Sequence, residues 1–226
     1  MWIDDQIIKQ CSQPIVSETW IPESPMVVLG SSNKADIEVN VTQCLANGIP
    51  ILKRYGGGGT VVLYDGCLII SAGLWVKDLW NNAEYFRLLN HSVIDCLASE
   101  WPSCRTLSQE GHSDIVGGDK KLAGTSMFRS RHYLLYQASL LINIDCELIE
   151  SCLQHPSKEP EYRKQRSHDS FLMGLSDLVG PVEVERVRKL FINFDQFIGA
   201  HLKEYLISPQ EQEFKNLFNR VERNNR

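Results

Sequence analysis

The 226-residue chain lacks three features that would point to nucleic acid or membrane partners. It has no basic excess: 23 Lys and Arg face 28 Asp and Glu, a formal net charge of −5, which provides no field to hold nucleic acid. It has no apolar run long enough to span a bilayer. Its first residues, Met1 to Asp5, carry no basic-then-apolar leader. We therefore expect a cytoplasmic protein that binds neither nucleic acid nor membrane.

Paired cysteine motifs are also absent. The seven cysteines are an odd number and form no CxxC pair, which is typical of reduced thiols rather than of a disulfide framework. No spacing of Cys and His fits a zinc site, so we predict no metal held by the protein itself. There is no internal repeat, and the length suits one α/β domain. We expect residues 1–226 to form a single domain that ends in helices from about residue 176.

What the chain does contain is a run of four glycines, Gly56–Gly59, between two β-rich segments. Glycine costs folding entropy and provides no packing, so four in a row between strands favour a place where a ligand lies against bare backbone. The spacing is neither that of a Walker loop nor that of a Rossmann fingerprint. Arg54, just before the run, could pair with an anion there. A glycine-rich hairpin turn is the structural alternative.

Turn signals and apolar runs predict the elements around the glycines. Met26–Gly30 is typical of a short strand, and residues 41–47 of a helix that closes on Gly48. An Asp65-Gly66 pair predicts a hairpin that joins strands at 61–64 and 67–72.

Three helices are predicted further along the chain. Their apolar residues repeat at helical spacing over residues 84–101, 184–197 and 209–221, and a Ser208-Pro209 cap opens the last. The residues expected to face the core are Phe86, Leu89, Val93, Leu97, Val184, Val187, Leu190, Phe194, Phe197, Phe214, Leu217 and Val221.

Two further motifs follow the glycine run. Residues 113–126 are typical of a strand, a glycine turn and a second strand, and residues 139–145 of a strand before a short helix. Together the three motifs resemble the lipoate-protein ligase, octanoyltransferase and biotin-ligase superfamily, in its lipoate-protein ligase A-like branch, over residues 15–175. The resemblance is specific because the motifs occur in the family's order and spacing. The matching residues are Lys53, Arg54, Gly56–Val61, Ser113, Asp114, Lys121, Ala123, Gly124, Ser126 and Ser139–Asp145.

The resemblance implies an α/β (α+β) fold of mixed, largely antiparallel sheets flanked by helices, as in the biotin and lipoate ligase catalytic domain. It implies an ATP-dependent ligase that joins lipoate or octanoate, through an acyl-adenylate and with Mg²⁺, to a lysine of a lipoyl acceptor domain. That acceptor would be a 2-oxoacid dehydrogenase subunit or an H-type protein of glycine cleavage. The ligases' separate accessory domain has no counterpart in this sequence, so an accessory ligase subunit is a further expected partner.

The resemblance also implies the site. The family's catalytic lysine matches Lys121 rather than Lys120, because Lys121 has the right offset to Gly124. It would bring a point positive charge to the acyl carbonyl and the phosphate, while glycine N–H groups and Arg54 would hold phosphoryl or carboxylate oxygens. The residues expected to bind ATP and the lipoyl-adenylate are Arg54, Gly57, Gly58, Gly59, Thr60, Val61, Asp114, Gly124, Thr125 and Ser126.

The chain departs from the family pattern at several positions. Many relatives have Tyr-His-Asp after the glycines, where this chain has Val62-Leu63-Tyr64, which excludes a mechanism that needs that histidine. Gly56 replaces a serine, Lys53 replaces an arginine, and residues 136–138 replace a His-His-Gly. We interpret these changes as those of a divergent branch that is still an enzyme.

Other functions stay open. An octanoyltransferase would take the acyl group from a carrier protein through a cysteine thioester and would need a thiol of lowered pKa. Cys104, Cys146 and Cys152 are the candidates by position, although burial in a helix explains Cys152 better. A protein that binds a lipoylated domain without modifying it would have no need of Lys121. Biotin transfer is a further enzymatic alternative.

Residues 155–168 form the one local cluster of positive charge, and their prolines argue against a helix at its start. The segment is either a solvated loop or a functional one, and the functional alternatives are a flexible flap over the nucleotide and a docking surface for an acidic acceptor domain.

Overall fold

The computed structural model of the protein describes residues 4–10, 12–156 and 158–224. Within these ranges the chain forms two β-sheets with helices packed against them. The strands are β1 (Ile15–Trp20), β2 (Met26–Leu29), β3 (Ile51–Lys53), β4 (Val61–Leu63), β5 (Cys67–Trp75), β6 (Leu107–Glu110), β7 (Asp114–Gly117), β8 (Lys120–Ser130) and β9 (Tyr133–Leu141). The α-helices are α1 (Asp5–Lys9), α2 (Ala35–Glu38), α3 (Val41–Ala46), α4 (Asn82–Glu100), α5 (Cys146–Cys152), α6 (His168–Phe171), α7 (Leu175–Val179), α8 (Val184–Leu190), α9 (Phe194–Leu202) and α10 (Glu211–Asn224). Short 3₁₀ helices occupy Pro102–Thr106, Glu161–Arg163 and Phe191–Asn193.

The large sheet is antiparallel throughout, in the order β1-β5-β9-β8-β7-β6. Its centre is the long pair of β5 and β9, matched from Cys67 opposite Leu141 to Trp75 opposite Tyr133. Alternate residues of β5 face opposite sides, as a strand requires. One set packs in the core under α4 and α9, while Cys67 and Ile69 pack against the small sheet. The expected fold of largely antiparallel sheets flanked by helices is confirmed.

The small sheet has the order β3-β2-β4, with β3 parallel and β4 antiparallel to the central β2. Because β3 and β4 lie on opposite sides of β2, the connection 54–60 must cross over the C-terminal end of β2. The four glycines occupy this crossing. The alternative of a glycine-rich hairpin turn is therefore wrong, since the strands that the run joins do not pair with each other.

The hairpin predicted at Asp65-Gly66 is wrong in its pairing. The tight turn exists, with the Cys67 N–H donating to the Tyr64 carbonyl at 2.9 Å, but β4 belongs to the small sheet and β5 to the large one. The Gly66 carbonyl accepts hydrogen bonds from the N–H groups after β9, that of Ile142 at 2.9 Å among them. The turn therefore links two sheets rather than two strands of one sheet.

The predicted helices are present, with corrected boundaries. All four core-facing residues predicted in α4 are buried. The next predicted helix is divided by the 3₁₀ turn Phe191–Asn193 into α8 and α9, and its five apolar residues pack in or against the same core. The last helix begins at Glu211, later than the predicted start at Pro209. In the part of the chain that the structure describes, no helix is both long and apolar enough to cross a membrane.

The first and last helices pack on each other. Ile7 and Ile8 of α1 share a buried cluster with Leu217 and Val221 of α10. At the edge of this cluster the Lys9 ammonium lies 2.6 Å from a carboxylate oxygen of Glu222. The two ends of the chain therefore form one unit at the side of the large sheet.

Leu217→Ala should lower the free energy of unfolding by about 2–4 kcal/mol, because the change opens a cavity where a side chain is 3 % exposed. Phe218→Ala is the matched control: at 36 % exposure the neighbouring residue should cost about 1 kcal/mol or less. Urea unfolding followed by circular dichroism measures both. Equal, small losses in the two variants would show that this face does not hold α10 in place.

Candidate functional site

A cavity of about 1230 Å³ lies between the glycine run, the strands β7 to β9, Pro156 and residues of the segment 158–168. The three sequence motifs, which are far apart along the chain, meet at its wall. Of the residues predicted from the sequence, only Gly57 is not part of the lining. Those that line it are Arg54, Gly58, Gly59, Thr60, Val61, Asp114, Lys121, Gly124, Thr125 and Ser126.

Arg54 is buried and holds the glycine run in shape. Its Nη2 donates to the carbonyl oxygens of Gly57 at 2.8 Å and Gly59 at 2.7 Å, and its Nη1 donates to that of Val28 in β2 at 3.4 Å. Burial lowers the pKa of Arg54 to about 10, against the opposing effect of the Asp4 carboxylate, so the side chain is charged at neutral pH. Its buried Nε has no hydrogen-bond partner in the described residues.

The crossing over β2 requires a glycine at Gly30. A Cβ there would collide with the carbonyl oxygen of Gly58, which has a φ of +94°, in the left-handed region that favours glycine. Next along the chain, the Ser31 N–H donates to the Gly56 carbonyl at 2.9 Å. The end of β2 is therefore in direct contact with the backbone of the run.

Lys121 extends from β8 into the cavity and forms an ion pair with Asp114, the first residue of β7, at 2.8 Å from Nζ to Oδ1. The hydroxyl of Tyr162 donates to the other oxygen, Oδ2, at 2.8 Å. The end of the lysine lies over Gly124, where an added Cβ would be 3.1 Å from Nζ. Asp114 therefore orients the ammonium, and Gly124 leaves the space for it.

Thr125 and Ser126 join parts of the site to one another. The Thr125 hydroxyl donates to the Ser113 carbonyl at 2.6 Å, which ties β8 to the start of β7. Ser126 Oγ lies 2.9 Å from where a Cβ on Gly56 would be. The family's serine is replaced by glycine at Gly56, and this contact explains why the glycine fits: Ser126 fills the space that a side chain would need.

Residues 158–168, which we call the strap, cover one side of the cavity. At the turn before β7, Tyr162 and Pro160 lie 3.2 and 3.3 Å from where a Cβ on Gly111 would be. At the turn after β7, Arg166 Nη1 lies 2.8 Å from Asp119 Oδ2. The strap therefore runs beside β7 from one turn to the other and is tethered at both, unlike a solvated loop.

The backbone of the strap is strained. Lys164 and Gln165 have φ values of +52° and +58°, a left-handed conformation that costs residues other than glycine on the order of 1 kcal/mol each. Arg163 and Arg166 offset this cost by stacking on the ring of Phe171, with guanidinium carbons 4.8 and 5.4 Å from its centroid. Strain of this kind beside a cavity is typical of a functional segment.

The strap side of the cavity is rich in cations. His168 lines it, and burial, followed by the charges of Arg163, His155 and Lys121, lowers the pKa of its imidazole to about 4. The ring is therefore neutral at neutral pH, chiefly because it is buried and secondarily because positive charges lie near it.

The candidate thiol nucleophiles are not in the cavity. Cys104 and Cys152 are fully buried, and burial raises the pKa of the Cys104 thiol to about 11. Burial also raises the pKa of the half-buried Cys146. Among the described residues no cysteine lines the cavity. The packing role expected for Cys152 is confirmed by its full burial. The raised pKa values of Cys104 and Cys146 are the opposite of what an activated thiol requires.

Several cavity residues were not among the predicted site residues, and three of them make contacts that matter here: Asn33, Gln137 and Tyr162. Asn33 donates to the Thr60 hydroxyl at 3.2 Å, and its position in the small polar stretch after β2 was an available signal. Gln137 lies in the segment that replaces the family's His-His-Gly. Tyr162 lies in the segment predicted as a possible flap, but its contact with Asp114 has no sequence signal of its own, because it arises only when the strap meets β7. The described residues contain no group of three His, Cys, Asp or Glu that could hold a metal ion.

Comparison with protein families gives a match to the model described as "Lipoyl protein ligase A/B catalytic domain" over residues 1–194. A relative named Octanoyltransferase LipM, from Kyrpidia tusciae, is 32 % identical over 219 residues, which cover 86 % of this chain and 78 % of that protein.

Solved structures share the fold. A bi-partite lipoate protein ligase from Thermoplasma acidophilum, described with its E2 lipoyl domain, has a TM-score of 0.71 at 19 % identity and covers 96 % of this chain and 85 % of its own. A lipoate-protein ligase A bound with ATP has a TM-score of 0.70 at 21 % identity and covers 95 % and 87 %. At such identities these structures show the fold alone.

Gly30→Ala should destabilise the protein by about 1–3 kcal/mol, because its Cβ would collide with the backbone carbonyl of Gly58. Backbone, unlike the end of a flexible side chain, cannot move aside at low cost. Gly57→Ala is the matched control. No atom lies within 4 Å of a Cβ there, so the change in stability should stay within about 1 kcal/mol. Chemical unfolding of both variants checks the prediction, and a Gly30→Ala protein as stable as wild type would contradict the crossing.

Proposed function

Because this chain belongs to the lipoyl protein ligase A/B catalytic domain family, we propose that it activates lipoate or octanoate with ATP and transfers the acyl group to a lysine of a lipoyl domain. The observation that carries the proposal is the placement of Lys121, held by Asp114, in the same cavity as the glycine run that Arg54 clasps. This arrangement provides fixed positive charge and bare backbone at one place.

In the first step, a carboxylate oxygen of the acid attacks the α-phosphorus of ATP, and the bond to the pyrophosphate group breaks. Negative charge is crowded together in this transition state, where fixed donors are most effective. The Lys121 ammonium and backbone N–H groups of the run are the donors that we assign to it. Because Arg54 already holds the run, little reorganisation is needed when the charge develops.

In the second step, the amine of the acceptor lysine attacks the acyl carbonyl, an amide bond forms, and AMP leaves with the electron pair of the broken bond. Lys121 would stabilise the carbonyl oxygen and the departing phosphate. We propose the strap as the cover that keeps water away from the acyl-adenylate between the two steps, because it closes one side of the cavity. Its tethers to both turns of β7 would hold it there.

The metal is a weaker fit. Each carboxylate oxygen of Asp114 already accepts one hydrogen bond, so a metal ion there would have to share the carboxylate with Lys121 and Tyr162. We therefore propose Mg²⁺ only as the ion that accompanies the phosphates of ATP.

The partners that we propose follow from the relatives. The T. acidophilum ligase is bi-partite and is described with its E2 lipoyl domain. For this chain we propose a lipoyl domain as the acyl acceptor and, by analogy with the bi-partite relative, an accessory subunit. A 2-oxoacid dehydrogenase subunit and an H-type protein are the acceptors to test.

Octanoyl transfer from a carrier protein is the second candidate, because the Kyrpidia tusciae relative of 32 % identity is named an octanoyltransferase. The positions of the described cysteines favour the ligase, since none of them lines the cavity and burial raises the pKa of Cys104 and Cys146. A thioester mechanism would need a thiol that reaches the cavity.

The deciding experiment is intact-mass analysis of an apo lipoyl domain incubated with the protein. One reaction contains ATP, Mg²⁺ and lipoate or octanoate, and the other contains octanoyl carrier protein alone. We expect the mass of the acyl group to be added only in the first. A gain only in the second would make the protein a transferase, and no gain in either, with or without the accessory subunit of a bi-partite relative, would remove the proposed activity.

Lys121→Met should lower the rate of acyl transfer by at least about 100-fold, because it removes the charge from the cavity while keeping the length of the side chain. The matched control is Lys120→Met, the exposed lysine one position earlier, which should keep nearly full activity. Circular dichroism checks that both variants fold. Wild-type turnover in Lys121→Met would exclude Lys121 from the chemistry.

A further inference from the structure

A fully buried carboxylate lies behind the glycine run, outside the cavity. Asp4, the residue before α1, accepts a hydrogen bond from the Tyr55 N–H at 2.6 Å and another from Gln137 Nε2 at 2.9 Å. Tyr55 comes directly between Arg54 and the first glycine. Gln137 lies on β9 and lines the cavity. One side chain therefore ties the start of the run to the large sheet.

The same carboxylate also acts electrostatically on Arg54. Burial lowers the pKa of Arg54, and the negative charge of Asp4 acts in the opposite direction. Burial raises the pKa of Asp4, and the hydrogen bonds from Tyr55 and Gln137, followed by the positive charge of Arg54, act in the opposite direction. Removing the charge of Asp4 would leave the buried guanidinium less compensated, which is unfavourable.

Asp4 is itself held from the far end of the chain. It directly precedes α1, and α1 packs on α10 through the buried cluster and the Lys9–Glu222 pair. Helix α10 lies beyond the residues that match the family model. An element outside the matched domain thus supports the loop inside it.

We infer that Asp4 is a positioning residue, which fixes the glycine run from outside the cavity through Tyr55, Gln137 and Arg54. The effect of Asp4 on acyl transfer rests on the proposed function, whereas its effect on the glycine run does not. A measurement on the run alone therefore tests the role of Asp4 separately from the proposed function.

Amide hydrogen exchange of Tyr55 and the glycines that follow, measured by NMR on the full chain, tests the inference. Asp4→Asn keeps the shape but replaces one acceptor oxygen by an NH₂ group, which opposes Gln137 Nε2 unless the Gln137 amide turns over, and it removes the negative charge that acts on Arg54. Exchange at Tyr55 should become at least about tenfold faster relative to amides in β5 and β9. The matched control is Asp177→Asn. Asp177 also accepts a hydrogen bond from a backbone N–H, that of Gly174 at 2.8 Å, and it lies outside the cavity. This variant should leave the exchange rate of the Tyr55 amide unchanged.

A double variant, Asp4→Asn with Gln137→Glu, reverses the roles of donor and acceptor between positions 4 and 137. The asparagine oxygen then accepts from Tyr55, its amide donates to the new carboxylate, and the negative charge near Arg54 returns. Protection at Tyr55 should recover to within about threefold of wild type. If the side chain at position 4 only filled space, reversing the donor and the acceptor would not restore protection at Tyr55.

Equal exchange at Tyr55 in wild type and Asp4→Asn, or no recovery in the double variant, would overturn the inference. The acyl transfer assay is run in parallel, where Asp4→Asn should lower kcat/KM by at least about tenfold. If the wild type itself transfers no acyl group, the proposed function fails, while the exchange result still decides the role of Asp4.

Discussion

The site depends on one crossing, in which the glycine run passes over the end of β2 to join strands on its two sides. A run without side chains cannot fix itself by packing, so its carbonyl groups must find donors elsewhere. Arg54 supplies them from a buried position, and this places a cation where solvent cannot compensate it. A buried cation is costly, and the negative charge of Asp4 behind the run offsets part of that cost.

The second constraint is the alignment of the two sheets, because the cavity exists only between them. The Asp65-Gly66 turn carries the chain from the small sheet to the large one and is hydrogen-bonded to the segment after β9. Near the other end of the run, Ser126 packs against Gly56. Gly56, Ser126 and the residues after β9 belong to the three sequence motifs, whereas the Asp65-Gly66 turn does not. The motifs therefore contribute to the relation between the sheets as well as to the ligand site.

How much could be predicted from the sequence depends on the range of each interaction. The glycine run, the β7–β8 turn and the apolar faces of α4 and α9 are local patterns, and their positions were predictable. The prediction of a hairpin at Asp65-Gly66 was wrong because a turn signal indicates where the chain reverses, but not which sheet each flanking strand joins. Asp4 and Tyr162 could not be found, since their partners lie 51 and 48 positions away, and only the fold brings them together.

The pairing of Lys121 with Asp114 looks at first like a competitor for the anion that the lysine is proposed to bind. The magnitudes argue otherwise. The side chains of Lys121 and Asp114 are 23 % and 15 % exposed, and an ion pair with access to water is worth about 1 kcal/mol or less. An ammonium has three donors, and the structure assigns one of them to Asp114. A phosphate or carboxylate can therefore take the others without displacing the aspartate. Asp114 then acts as a guide that limits the rotamers of Lys121 before the ligand arrives, and this lowers the entropy cost of binding.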